Sequence, residues 1–343
     1  MQRLTLITNV VIFGGVISLY YVSIIEMISV ELPVSKTLPL FDLTNLAVKR
    51  NHDEFRTIFG SRVIVFIETS GSGRLSSRQM CAVESAAKSN PDAQVVLVVT
   101  YPVLVISLEN NPALRLVLGV YNNVNVVTLN ATKVLFSSDF KTVMETKFKH
   151  SQHPITFTSD FLRVWLVLTF GGVYFDLDFV IFKDLTALFE KSFVVHTPSA
   201  GRITNCAFGF KREHPFLQEI VATSARDFDP TVYASGPFAF SNAVSRFFGV
   251  SADTAVTLGQ MEDVYILNQT QFTPIDYPGY NVFFGKDGVE WSDKWIGEGF
   301  GVHVWHQMSK NRGDPKLAHN STAPYAVLAR RFCPTAFGCN DPF

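Results

Sequence analysis

Ser159-Asp160-Phe161-Leu162-Arg163-Val164-Trp165-Leu166-Val167-Leu168-Thr169-Phe170-Gly171-Gly172-Val173-Tyr174-Phe175-Asp176-Leu177-Asp178 is the stretch on which the reading of this chain turns. From Phe161 to Phe170 it is apolar almost all round, the pattern of a buried helix. Ser159 or Asp160 offers an N-cap, and Gly171-Gly172 a stop. Arg163 is the only charge in that helix, and a buried guanidinium needs a partner. Asp160, three residues earlier, lies on the same helical face. The residues alone leave two readings open, a structural ion pair or a polar pocket lined by both side chains. Beyond the glycines the period changes to two. Val173, Phe175 and Leu177 then share one face, and Tyr174, Asp176 and Asp178 the other. Two carboxylates on one face repel unless a cation or donor groups sit between them. Hard oxygen ligands of this kind suit Mn²⁺ or Mg²⁺, ions that bridge to phosphate oxygens.

Spacing alone does not make a site, since Asp227-Phe228-Asp229 repeats it. That second pair follows an amphipathic helical pattern and precedes Pro230, which reads as a solvated helix end. The context of the first pair is an alternation of strands and helices. Val63 to Ile67 is a short apolar run, a buried strand, and leads into the turn-rich Glu68-Thr69-Ser70-Gly71-Ser72-Gly73. Met80, Val83, Glu84 and Ala87 recur at helical spacing until Asn90-Pro91. Gln94 to Val99 reads as a strand, the region of Leu114 to Leu118 as a helix, and Asn125 to Leu129 as another strand. The order predicts an α/β fold with parallel strands and a ligand beyond their C-terminal ends.

The N-terminus gives the chain an address. Leu4 to Ile25 carry no charge over 22 residues, with Arg3 before and Glu26 after. That length crosses a bilayer core and exceeds the apolar region of a cleaved signal peptide, which is the alternative. The expected organisation is a cytoplasmic tail at 1–3, a transmembrane signal anchor at 4–25, a stem at 26–60 and a lumenal catalytic domain at 61–343. Asn130-Ala131-Thr132, Asn268-Gln269-Thr270 and Asn320-Ser321-Thr322 are glycosylation acceptors that fit a lumenal domain. Cys81, Cys206, Cys333 and Cys339 all lie beyond the span, which allows one or two disulfides. With a formal net charge of −1 and no basic run, the chain has no field to attract nucleic acid.

The segment Ser-Asp-x-x-Arg, the apolar helix, Phe-Gly-Gly-Val-Tyr and Asp-Leu-Asp together resemble the α1,4-glycosyltransferases of the animal Golgi, the family of lactosylceramide 4-α-galactosyltransferases and α1,4-N-acetylglucosaminyltransferases. Ile67-Glu68-Thr69-Ser70, Cys81 to Ala87, Asn205-Cys206-Ala207-Phe208, Gly236-Pro237, Val302-His303-Val304-Trp305 and Arg331-Phe332-Cys333-Pro334 extend the likeness over most of residues 61–335. The resemblance implies a GT-A-type fold and transfer with retention from a UDP-sugar to a terminal sugar of a glycolipid or glycoprotein in α1,4 linkage. The sugar implied is a hexose or N-acetylhexosamine. By the same resemblance Asp178 ligates the metal, and Asp176 contacts the donor ribose or a metal-bound water. Asp160 and Arg163 match a segment that hydrogen-bonds the donor sugar in related sugar-transferring toxins. His303 takes a metal or diphosphate contact, the alternative being a histidine packed beside Trp305. Asn205, Glu68 and Thr69 fall in the donor pocket. The implied setting is a single-pass type II protein of the Golgi membrane. Ala234-Ser235-Gly236-Pro237 departs from the polar His-Gln-Gly-Pro type segment of vertebrate members, which leaves the donor sugar open. A silent sugar-binding relative, or a chaperone of another transferase, is the reading of a different class.

Overall fold

The computed structural model describes residues 40–343 apart from 104, 198–201, 233–234, 314 and 340–342, and these form one compact unit. The expected anchor at 4–25, and the stem as far as residue 39, lie outside the described residues. Among the described residues no helix is long and apolar enough to cross a membrane.

In chain order the strands are β1 (Phe41–Asp42), β2 (Val63–Glu68), β3 (Gln94–Thr100), β4 (Val124–Leu129), β5 (Gly172–Phe175), β6 (Phe179–Ile181), β7 (Ser192–Thr197), β8 (Arg202–Phe210), β9 (Gln260–Met261), β10 (Val264–Leu267) and β11 (Gly301–His303). Nine of them make one sheet in the order β1-β4-β3-β2-β5-β8-β7-β10-β9, and β11 pairs with β6 separately. From β1 through β5 every neighbour is parallel, while β8 runs antiparallel to both β5 and β7. The α/β expectation holds, and the strands read at 63, 94 and 125 are present within a residue or two.

Both sheet faces are buried. Ile64 and Phe66 of β2 enter one hydrophobic core with Val95, Leu97 and Val99, and Val63, Val65 and Ile67 enter the other with Val96 and Val98. Strands covered on both sides read as continuous apolar runs, which is why these were legible as strands. The chain leaves β2 toward β3 and β4 on one side and later returns with β5 on the other. The crevice between the C-terminal ends of β2 and β5 is therefore a topological switch point, where open α/β sheets bind ligands.

Two expectations change here. Residues 40–60 were expected in the stem, but they fold onto the domain. β1 pairs with β4, the helix His52–Phe59 follows, and Phe55 stacks on Phe170 at 4.1 Å between ring centroids. The polar run at residues 49–54 is not a linker but spans the turn between the helices Thr44–Lys49 and His52–Phe59. The apolar helix also begins earlier, spanning Pro154–Phe170, because Pro154 occupies its first turn where no amide hydrogen is needed. Ser159 and Asp160 are thus interior, not caps. Gly171 (φ 75°) and Gly172 (φ 109°) end the helix and allow β5 to approach β2, since a Cβ on Gly172 would lie 2.8 Å from the Val63 carbonyl oxygen.

Cys81, on the helix Ser77–Ser89, is bonded to Cys333, while Cys206 and Cys339 are free and buried. One turn after Cys81 lies the fully buried Glu84. Its carboxylate accepts from the Thr335 amide (3.0 Å), the Ala336 amide (2.7 Å) and the Tyr121 hydroxyl (3.0 Å). Glu84→Gln turns an N–H group toward these donors, so it is expected to destabilise the domain by about 1–3 kcal/mol, read as a lower midpoint in urea unfolding. An unchanged midpoint would mean the carboxylate does not fasten the C-terminal segment.

Candidate active site

The site is assembled from four places in the sequence, and Arg163 sits at its centre. The guanidinium is 7% exposed and lies in the middle of the helix Pro154–Phe170. Its Nε–H donates to the Ser159 carbonyl (3.2 Å), and one terminal nitrogen donates to the Ser159 hydroxyl (2.8 Å) and forms an ion pair with Asp160 Oδ1 (3.3 Å). The other terminal nitrogen donates to the Asn205 carbonyl (3.0 Å) and reaches Asp176 Oδ1 (2.9 Å). Three hydrogen bonds and two ion pairs thus converge on the fork, and the Tyr174 ring lies beneath it at 4.8 Å. Burial opposes the charge, but Asp176, Tyr174 and Asp160 more than offset this and hold the guanidinium protonated above its usual range. Of the two alternatives left by the residues, the ion pair is present, and Asp160 but not Arg163 also lines a cleft. Asn205, Gly236, Phe157, Phe161 and Phe228 line the same cleft, of about 220 Å³.

Asn205 enters from β8, paired to β5, and its amide donates to Asp160 Oδ1 at 2.7 Å. Burial pushes the Asp160 carboxyl up to about 6, against the pull of Arg163. Gly236 packs against this pair so closely that a Cβ there would overlap both the Asn205 amide nitrogen and the Asp160 carboxylate. Gly236, in the first turn of the helix Ser235–Phe248, is therefore a steric requirement of the site.

Asp176 and Asp178 do converge, by a different route from strand alternation. β5 ends at Phe175, and Leu177-Asp178 form a turn before β6. Asp176 keeps the face expected of it, and its Oδ1 accepts from the Tyr174 hydroxyl at 2.7 Å. Asp178 is held from the C-terminal part of the chain. Its carbonyl accepts from the Val304 amide, and its Oδ2 accepts from the His306 amide, both at 2.9 Å. Register between β6 and β11 sets His303 opposite Phe179. The His303 ring stacks on Phe179 (4.7 Å) and meets Trp305 edge-on (4.0 Å). It is thus both the packed histidine beside Trp305 and a member of the acidic cluster.

Asp176, Asp178 and His303 each offer one ligand atom, all within 4.8 Å of one another. His303 Nε2 lies 2.7 Å from Asp178 Oδ1 and 3.9 Å from Asp176 Oδ2. Despite the short separation, Nε2 and Oδ1 are buried and neither has a hydrogen-bond partner. Two carboxylates and an imidazole converging on one point are the arrangement a cation can complete, so this donor set fits a divalent metal. Burial, with the charge of Asp178, raises the Asp176 carboxyl despite Arg163. For Asp178 burial acts in the same direction, but His303 and His306 outweigh it and hold its carboxyl below the usual range.

Glu68 ends β2 at the switch point, and Thr69 follows it. The Thr69 hydroxyl donates to the Ile155 carbonyl (3.1 Å), while Glu68 accepts from the Ser70 amide (2.7 Å) with Oε1 and leaves Oε2 buried without a partner. Among the described residues neither bonds to Arg163 or to the metal-type cluster. Asp227 and Asp229 are exposed, as their context implied, but both also line the cleft beside Asp160. Asp227 closes a helix end and pairs with Arg246 at 3.0 Å, while Asp229 accepts from Thr231. The Tyr174 hydroxyl and the His306 amide were not singled out from sequence. Tyr174 carried a signal, since it shares the period-two face of Asp176, whereas a backbone amide carries none.

Comparison with known proteins agrees with this site. Residues 76–195 match the glycosyltransferase sugar-binding region containing the DXD motif, and residues 209–339 match the α1,4-glycosyltransferase conserved region. A lactosylceramide 4-α-galactosyltransferase of Rattus norvegicus is 26% identical over 79% of this chain and 74% of its own length. The Homo sapiens protein of the same name is 25% identical over 79% and 75%. An α-1,4-N-acetylglucosaminyltransferase of Homo sapiens is 24% identical over 80% of each chain. With both regions in sequence order around one acidic cluster, the chain is a glycosyltransferase, similar to the α1,4-glycosyltransferases.

Proposed function

We propose that this glycosyltransferase is metal-dependent and retaining, and that it moves a hexose or N-acetylhexosamine from a UDP-sugar to the 4-hydroxyl of a terminal glycolipid sugar. A glycoprotein acceptor is the alternative. The observation that carries the reading is the meeting of Asp176, Asp178 and His303, with Asp178 Oδ1 and His303 Nε2 unpartnered, beside the Asp160–Arg163–Asn205 network. Its fold is of the GT-A type on this reading, supported by a mainly parallel sheet with the acidic cluster at the switch point.

Asp176, Asp178 and His303 hold Mn²⁺, or Mg²⁺; the imidazole favours the former. The bound ion supplies Lewis-acid stabilisation of charge on the departing diphosphate. Asp160 Oδ1 is occupied by Asn205 and Arg163, so Oδ2, beside Gly236, is the oxygen that accepts from a donor-sugar hydroxyl. Arg163 holds Asp160 and Asp176 in register through its engaged fork. Glu68 and Thr69 border the nucleoside end of the crevice. In the transfer, the bond from the anomeric carbon to the diphosphate oxygen breaks and its electron pair leaves with the diphosphate. The acceptor oxygen bonds on the face just vacated, and its proton passes to the departing oxygen. An N-terminal anchor at 4–25 would hold the domain in the Golgi lumen, within reach of a lipid-linked acceptor.

UDP-sugar hydrolysis measured with and without Mn²⁺ tests the reading. Wild type is expected to turn over with Mn²⁺ and to stop on chelation, and Asp178→Asn to lose about 10²-fold or more in kcat. Turnover that ignores both chelation and Asp178→Asn, or is absent from wild type, would leave a silent relative as the better account. Gly236→Ala is expected to cut kcat at least tenfold, since it drives Asn205 and Asp160 apart, while the unfolding transition stays cooperative. Full activity in Gly236→Ala would show that the close approach is incidental.

A further inference from the structure

A cavity of about 590 Å³ opens beside the metal-type cluster, between the loop after β2 and the helix His306–Asn311. Arg74, Ser76, Ser107, Asn110, His306 and Lys310 are among its lining residues, and no acidic side chain is. His306 joins the cavity to the site, because its amide donates to Asp178 Oδ2 at 2.9 Å. Lys310, one turn further along that helix, shares the face of His306. Arg74 approaches from the other wall, its amide donating to the Ser72 hydroxyl at 3.1 Å. Arg74 and Lys310 are both exposed, and among the described residues neither has an ion-pair partner. Other surface cations of the fold, such as Arg226 and Arg246, do meet carboxylates.

Charge balance says what such a cavity can take. The site holds three carboxylates, Asp160, Asp176 and Asp178, against the single guanidinium of Arg163. A divalent cation would neutralise that excess and no more. A nucleoside diphosphate then brings negative charge of its own, which the metal-type cluster cannot match. Uncommitted cations next to the metal site are the groups able to match it, and they act best where charge grows as the sugar leaves.

We propose that Arg74 and Lys310 hold the diphosphate of the nucleotide donor in this cavity. The assignment rests on the nucleotide-sugar reading above. It makes the two residues binding and leaving-group contacts, drawn from segments outside the Ser-Asp-x-x-Arg and Asp-Leu-Asp stretches.

Titration calorimetry of the full chain in Mn²⁺, with UDP and with uridine, tests it without relying on turnover. Arg74→Ala and Lys310→Ala are each expected to weaken UDP about tenfold, as loss of one charge-assisted contact does. Uridine affinity should stay unchanged, and Lys310→Arg should keep most of the UDP affinity. UDP affinity equal to wild type in both alanine variants overturns the assignment, as does a parallel loss of uridine. Either result, with Asp178→Asn still inactive, would leave the glycosyltransferase reading standing. Wild type that binds no UDP in Mn²⁺ would remove both.

Discussion

A cation inside an apolar helix is the constraint around which this domain is arranged. Arg163 cannot be left in the core unpaired, for the loss of hydration far exceeds what one hydrogen bond returns. The fold meets this by bringing Ser159 and Asp160 from the same helix, the Asn205 carbonyl from β8 and Asp176 from the end of β5 to one fork. Each bond fixes a separate segment relative to the others. The pairing of β8 with β5, and the entry of β5 beside β2 through Gly171 and Gly172, make those bonds geometrically possible. Shape and charge in the site are therefore set together.

The result is a division of labour among carboxylate oxygens. Oδ1 of Asp176 is satisfied by Arg163 and Tyr174, which leaves Oδ2 as the oxygen nearest His303. On Asp178 it is Oδ2 that the His306 amide takes, and Oδ1 that faces the imidazole. One oxygen of each acid orients the group, and the other remains for a ligand. Preorganisation of this kind lowers the cost of binding, since the side chains need not be ordered when the ligand arrives.

Much of this was legible in the sequence, and the exceptions share a cause. Runs such as Val63 to Ile67 declared themselves because both faces of the strand are buried. Arg163 and Asp160 declared themselves because a lone charge in an apolar helix demands a neighbour three or four residues away. Residues 40–60 misled because a polar run, residues 49–54, interrupts their hydrophobic side chains, yet Phe55 finds a partner far along the chain in Phe170. Asp178 was placed on the right side for an incomplete reason: local periodicity stops at Phe175, and the turn is held by His306 and Val304, more than a hundred residues away. Local pattern predicts what local geometry decides, and long-range pairing supplies the rest.

The Cys81–Cys333 bond joins two residues 252 positions apart. Nearly the whole domain lies inside that covalent ring, including every residue of the acidic cluster and of the Arg163 network. A single break anywhere within it would not release a fragment. The nicked protein would keep its mass and migrate as two pieces only after reduction. Wherever a protease meets this chain, circularity of this kind turns a cut that would otherwise scatter the site into one that leaves its parts tethered.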